Sequence, residues 1–251
     1  MARTSGVFVL GEKMKIAILL TSNDTSEFAL RFPDDGEKFI SILAPLKPDW
    51  DFDVVPVMDN IFPKSIGSYD GYVITGSPAS VNDPDAWVEN LLDWIRELDE
   101  SEIPTIGCCF GHQAIAKALG GKVAKNPTGW QLGRAQTNFN SIEYWNPANI
   151  GSIGLYSAHS EQVSQLPGDA IVLGTSKTCK YASFKVKDHF FTTQYHPEMS
   201  YDFMYQLLDY MFENNEIDQD LWKQGKNAIE SRNESEKFAG LMVNFLEYSQ
   251  S

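Results

Sequence analysis

The sequence predicts an α/β fold with a mainly parallel central sheet flanked by helices and a C-terminal helical extension. Two observations predict it. Short, almost wholly apolar runs alternate with helical stretches in the first half of the chain, the order being strand, helix, strand, strand, helix, strand, helix. Such runs suit strands buried on both faces, as parallel strands are. Beyond these, the texture changes to shorter β-like segments and then returns to helix.

Lys15 to Thr21 reads as the first buried strand. Asp35 to Leu46 has helical spacing, with Phe39, Ile40, Leu43 and Leu46 able to share a face and Pro45 placed to end it. Phe52–Val57 and Gly71–Thr75 are the next strands. The run Asp83-Pro84-Asp85 is expected to cap a strong helix whose apolar stripe includes Trp87, Val88, Leu91, Leu92, Trp94, Ile95 and Leu98. Ile103–Cys108 is a strand, and a helix from Phe110 to Leu119 is stopped by Gly120-Gly121. Several short strands separated by Gly, Asn and Pro follow up to Tyr195, then helices over Met199–Asn214, Gln219–Ile229 and Ser235–Tyr248. The division expected is an α/β domain over residues 14–215 and a helical extension over 216–251 packed on it.

Composition narrows the function classes. Acidic residues outnumber basic ones by 34 to 20, and the net charge of −14 repels phosphates and anionic lipid, so neither nucleic acid nor membrane is expected as a partner. No apolar run approaches the roughly 20 residues of a bilayer span. The short patch Val7-Phe8-Val9-Leu10 lacks the features of a signal peptide, and Met14 is a candidate alternative start. The 3 cysteines include an adjacent pair and no metal-ligand spacing, which fits a reducing, cytoplasmic setting, with no metal and no cofactor expected.

The chemistry concentrates in Ile106-Gly107-Cys108-Cys109-Phe110-Gly111-His112-Gln113. An apolar strand runs into Gly-x-Cys-x-Gly and turns at once into a helix, the cysteine form of a nucleophile elbow. The turn is tight enough to need Gly107 and Gly111, and only Cys109 has glycines two residues away on both sides. Cys108 then reads as buried filler. A helix N-terminus stabilises negative charge, which suits a nucleophilic sulfur. On this segment alone, a core cysteine in a glycine-rich turn is an open alternative. In Gln194-Tyr195-His196-Pro197-Glu198 the extended chain lets His196 and Glu198 face the same way. A histidine there can take and return a proton while the carboxylate orients its ring.

With these segments in view, the chain resembles the class I glutamine amidotransferase family. Gly107–Gln113 matches the family's G-x-C-x-G-H-Q, Tyr195–Glu198 matches its H-P-E segment, and Thr75-Gly76-Ser77-Pro78 matches its Gly-Gly-Pro-like or Gly-Ser-Pro-like loop. The resemblance implies a flavodoxin-like fold and catalysis by Cys109, His196 and Glu198. It also implies an oxyanion hole from the backbone amides of Ser77 and Phe110, and substrate contacts by Gly76, Gln113 and His159. His112 is expected to have a packing role, and Trp130, in a Gly-Trp-x-x-Gly-like loop, likewise. The segment Ser157–Val163 resembles the S-x-H-x-D/E-x-V of guanosine monophosphate synthetase-type amidotransferases.

The activity implied is hydrolysis of glutamine or a γ-glutamyl amide through a γ-glutamyl thioester. Only about 50 residues follow Glu198, too few for a synthetase domain. The expectations left open are a free-standing γ-glutamyl hydrolase or peptidase, an ammonia-supplying subunit of a separate synthetase, and a non-catalytic binding or regulatory member of the fold. A cysteine peptidase or chaperone-like relative would instead draw its base from His112.

Overall fold

A computed structural model describes residues 13–22, 24–140, 143–146 and 150–248. The apolar patch at Val7–Leu10 lies outside them. Strand β1 (Lys15–Leu20) is followed by α1 (Asp35–Leu43), β2 (Asp51–Pro56), β3 (Gly71–Ile74), α2 (Ala86–Ser101), β4 (Thr105–Cys108) and α3 (Phe110–Ala118). Then come β5 (Lys122–Lys125), β6 (Gln131–Phe139), β7 (Ser152–His159), β8 (Glu161–Gln165), β9 (Ala170–Thr175), β10 (Ser183–Val186) and β11 (Phe190–Thr193). Helices α4 (Tyr201–Glu213), α5 (Gln219–Ile229) and α6 (Ser235–Tyr248) complete the chain.

Nine strands form one sheet in the order β2-β1-β3-β4-β11-β10-β9-β6-β7. The strands from β2 to β11 in that order are parallel, the expected α/β core. From β11 onward the sheet continues antiparallel through β10, β9, β6 and β7, built from the short segments of the second half. Hairpin connections between neighbouring strands make that direction natural, since a parallel pair needs a crossover. β5 and β8 pair separately.

Alternation along the central strands sends side chains to two cores. Ile16, Ile18, Val73, Ile106, Cys108 and Phe191 meet α1 and α6 on one face. Ala17, Leu19, Tyr72, Ile74 and Phe190 meet α2 and α3 on the other. Because both faces are covered, these strands read as unbroken apolar runs. A third cluster packs α4 and α5 on β6 and β7 through Tyr156, Leu132, Met204 and Leu208, with Trp130 beside it. α6 contributes Phe238, Leu241, Met242, Phe245 and Leu246 to the first core.

Two local details differ from the sequence reading. α1 stops at Leu43, ahead of Pro45, and its N-terminus is a full capping box between Asp34 and Glu37. α2 begins at Ala86, after the whole run Asp83-Pro84-Asp85, with Asp85 at its N-cap. The Asp83 carboxylate instead accepts the Ser80 N–H at 2.8 Å, so it shapes the loop before the helix. Among the described residues no helix is long and apolar enough to cross a membrane.

Candidate active site

The site lies at the C-terminal ends of the central parallel strands. Between β4 and α3, Cys109 holds φ 49° and ψ −103°, a conformation that costs a non-glycine residue on the order of 1–3 kcal/mol. Its N–H donates to Thr193 O at 2.9 Å, tying the elbow to the end of β11. The flanking glycines are there for space. A Cβ on Gly107 would come within 2.6 Å of Gly111 O, and one on Gly111 within 2.8 Å of Ile74 Cβ. Cys108 faces the opposite way into the apolar core. Burial, with the charges of Glu198 and Cys109 adding to it, raises its thiol well above the ordinary range. Burial pushes Cys179 up to about 12.

His196 follows β11, and its N–H donates to Tyr156 O of β7 at 2.9 Å. Its Nδ1 lies 2.6 Å from Glu198 Oε1, with both side chains buried. Nε2 has no hydrogen-bond partner among the described residues. Burial disfavours the charged ring, but Cys109 and Glu198 beside it outweigh that and raise the His196 pKa well above its ordinary value. His196 thus lies between Cys109 and Glu198, and both favour a proton on its ring. Gly76 approaches from the end of β3, where an added Cβ would fall 2.8 Å from His196 Cε1 and 3.6 Å from Cys109 Cβ. Cysteine, histidine and the Gly76 loop are thus brought together.

Ser77 and Phe110, the two residues whose amides the resemblance singles out, follow Gly76 and Cys109 directly. Neither backbone N–H donates a hydrogen bond among the described residues. Gln113 is buried on the first turn of α3, and its Nε2 donates to Glu161 O at 2.8 Å and to Gln194 Oε1 at 3.2 Å. His159 Nδ1 lies 2.9 Å from the same Glu161 carbonyl, which assigns the ring proton to Nδ1. Its Nε2 is buried without a partner among the described residues. Burial chiefly, with the nearby His196 adding, lowers the His159 pKa to about 4, so Nε2 presents a neutral acceptor at pH 7. His112 is enclosed, with Nδ1 2.8 Å from Thr192 Oγ1, and burial lowers its pKa to about 3. It packs under the elbow, as the sequence reading expected.

Sequence reasoning missed two groups. Gln194 is fully buried, and its Nε2 points to the Cys109 sulfur at 3.8 Å while its Oε1 accepts from Gln113. It stands two residues before His196, a position that could have drawn notice. Asp35, paired with Lys38 at 2.8 Å, has its carboxyl raised by burial and by the charge of Glu198, while Lys38 opposes both. Nothing in its local sequence indicates this. Among the described residues no three His, Cys, Asp or Glu side chains gather into a metal-holding group.

Comparison with known proteins finds relatives of this chain. A family model described as "Glutamine amidotransferase class-I" matches residues 47–207. Gamma-glutamyl peptidase 4 of Arabidopsis thaliana is 30% identical, over 96% of this chain and 99% of its own. Gamma-glutamyl peptidase 3 of the same plant is 27% identical, over 89% and 92%. Among solved structures, a glutamine amidotransferase from Thermotoga maritima superposes with a TM-score of 0.72, covering 94% of this chain and 96% of that one, at 19% identity.

Proposed function

The chain belongs to the class I glutamine amidotransferase family, and from that premise we propose that it is a cysteine hydrolase of γ-glutamyl amide bonds. The observation that carries this is the meeting of Cys109, on its strained elbow, with a buried His196 that is itself held by Glu198.

Cys109 Sγ gives its proton to His196 Nε2 and attacks the γ-carbonyl carbon, forming a C–S bond and a tetrahedral oxyanion. The Ser77 and Phe110 amides donate to that oxygen; loss of one such donor typically costs about 10²–10³ in rate. His196 returns the proton to the departing nitrogen as the C–N bond breaks, leaving a γ-glutamyl thioester. Water then gives a proton to His196 and attacks the thioester carbonyl. Glutamate leaves, and the proton passes back to the Cys109 sulfur. Glu198 keeps the Nδ1–H tautomer and stabilises the imidazolium. His159 Nε2, a neutral acceptor, suits a donor on the substrate such as its ammonium, and Gln113 braces the same wall.

Full-length similarity to two γ-glutamyl peptidases favours a free-standing hydrolase of γ-glutamyl amines or peptides over an ammonia-supplying subunit. The test is turnover by purified protein of glutamine and of a panel of γ-glutamyl amides and peptides, with Cys109→Ala as control. Release of glutamate from γ-glutamyl peptides, absent in Cys109→Ala, is the expected result. Glutaminase activity that appears only with an added synthetase would replace it with the subunit reading. Undiminished turnover by Cys109→Ala would refute the mechanism.

A further inference from the structure

The Ser77 amide can serve as an oxyanion donor only if the Gly76–Ser77 peptide keeps one of its two orientations. That peptide lies in a loop, where the sheet ladder no longer holds it. What does hold it comes from the neighbouring strand. β1 and β3 run parallel with Leu19 opposite Ile74, so the first residues beyond them, Thr21 and Thr75–Gly76, lie side by side. Thr21 Oγ1 donates to Gly76 O at 2.8 Å, its shortest bond. Its own N–H donates to Thr75 Oγ1 at 3.0 Å, and the two hydroxyls are 3.0 Å apart. The Thr75 hydroxyl also reaches Gly76 O, at 3.1 Å. Both threonines are fully buried.

A trans peptide points its C=O and N–H in opposite directions. Among the described residues no peptide bond is cis. Anchoring the Gly76 carbonyl on Thr21 therefore turns the Ser77 N–H away from β1, toward the side where Gly76 faces His196 and Cys109. A flipped peptide would cost the buried Thr21 hydroxyl its shortest bond, leaving it the Thr75 carbonyl at 3.1 Å, and would place a carbonyl where negative charge must form. The Thr75 carbonyl meanwhile accepts the Gly111 N–H at 3.1 Å, so the same loop is clamped to the elbow helix.

We propose that Thr21 is a positioning residue that locks the Gly76–Ser77 peptide so that its N–H faces the reacting carbonyl oxygen. This rests on the oxyanion-hole reading above and adds the group that sets it. Thr21 touches no reacting atom; its effect falls on transition-state stabilisation rather than on sulfur reactivity.

The experiment compares wild type, Thr21→Val, Thr21→Ser and Cys109→Ala on γ-glutamyl-p-nitroanilide, with turnover normalised to Cys109 titrated by iodoacetamide. Displacement at iodoacetamide develops no oxyanion, so it reports accessible thiol without using the hole. Expected for Thr21→Val is a fall in kcat of about 10- to 100-fold. KM and the alkylation rate should each stay within about threefold, and Thr21→Ser should recover most of the loss. Circular dichroism melts run alongside report any unfolded fraction, whose three exposed thiols would add to the titre, so a less stable Thr21→Val is still readable. The proposal is overturned if Thr21→Val turns over within twofold of wild type, if Thr21→Ser is as slow as Thr21→Val, or if alkylation slows in parallel with kcat. In those cases an inactive Cys109→Ala leaves the thioester mechanism standing. Activity in Cys109→Ala, or none in wild type, removes the mechanism and this proposal with it.

Discussion

His196 and Glu198 are joined by a 2.6 Å hydrogen bond although only one residue, Pro197, separates them. The backbone bends on both sides of His196, which is held by an isolated bridge to Tyr156, so a bend rather than the continued strand expected from the sequence brings the two side chains together. The carboxylate raises the proton affinity of the ring, working with Cys109 against the cost of burial. Glu198→Gln keeps the shape but removes the charge, so kcat/KM for a γ-glutamyl amide should drop by about 10²–10⁴. Thermal unfolding of the variant, run alongside, should show a folded protein. A variant within tenfold of wild type would remove Glu198 from the mechanism.

Gly76→Ala tests how closely the loop approaches the histidine. The added Cβ would stand 2.8 Å from His196 Cε1, too near for any real contact, while the surroundings are otherwise unchanged. The ring or the loop must move, and sub-ångström misplacement at a reacting centre is costly. Turnover should fall at least about 10-fold with a small change in melting temperature. Gly111→Ala should behave differently. Its Cβ would press on the Ile74 backbone inside the elbow, so the loss there should be of folding, visible by circular dichroism.

The elbow was legible because its constraints are local: a tight strand-to-helix turn needs small residues at fixed offsets from the nucleophile. His196 and Glu198 were legible from their two-residue spacing, although the chain bends there instead of continuing the strand as expected. Strand directions in the second half were harder, since β6 pairs with β7 and β9 across loops whose lengths do not declare a partner. Thr21, Gln194 and Asp35 escaped because their roles depend on neighbours far away in sequence. Thr21 meets Gly76 55 residues on, and Gln194 meets Gln113 81 residues back. The run Asp83-Pro84-Asp85 left the cap open between two aspartates that both satisfy the same local rule; only Asp85 adjoins the first helical residue.

Acid should weaken the fold before carboxylates titrate. His112 and His159 are buried, with pKa values of about 3 and about 4. Both lie below the roughly 6.5 of an unfolded histidine, so the unfolded chain binds more protons between about pH 6.5 and pH 4. Stability is therefore full above about pH 6.5 and is lost on acidification, by about 1.4 kcal/mol per unit for each ring. His196 acts in the other window. Its raised pKa gives a contribution complete below about pH 6.5 and lost as the pH climbs through the folded value. Urea midpoints taken from pH 5 to 9 should peak near neutrality. His159→Gln should reduce the acid slope; an unchanged slope would show that His159 is protonated in the folded protein.

The last helix should matter to folding and to the site together. Phe245 of α6 packs on Phe191 of β11 at 5.6 Å and on Trp145 at 5.7 Å between ring centroids. Removing it leaves a cavity beneath the strand that carries His196, and Phe245→Ala should destabilise the protein by about 3–5 kcal/mol in urea titration. The same end of the chain also holds the segment after His196. The Ser235 hydroxyl donates to Pro197 O, and Asn233 Nδ2 donates to Met199 O at 2.9 Å. Replacing both by Ala removes two restraints on Glu198 at the surface end of α6, without opening its core. That double variant should lose under about 3 kcal/mol of stability, from two bonds worth about 1 each. Its kcat should nevertheless fall several-fold, because the carboxylate that aligns His196 is no longer fixed. Equal kcat in the double variant and wild type would mean that Pro197 and the elbow alone hold Glu198 in place.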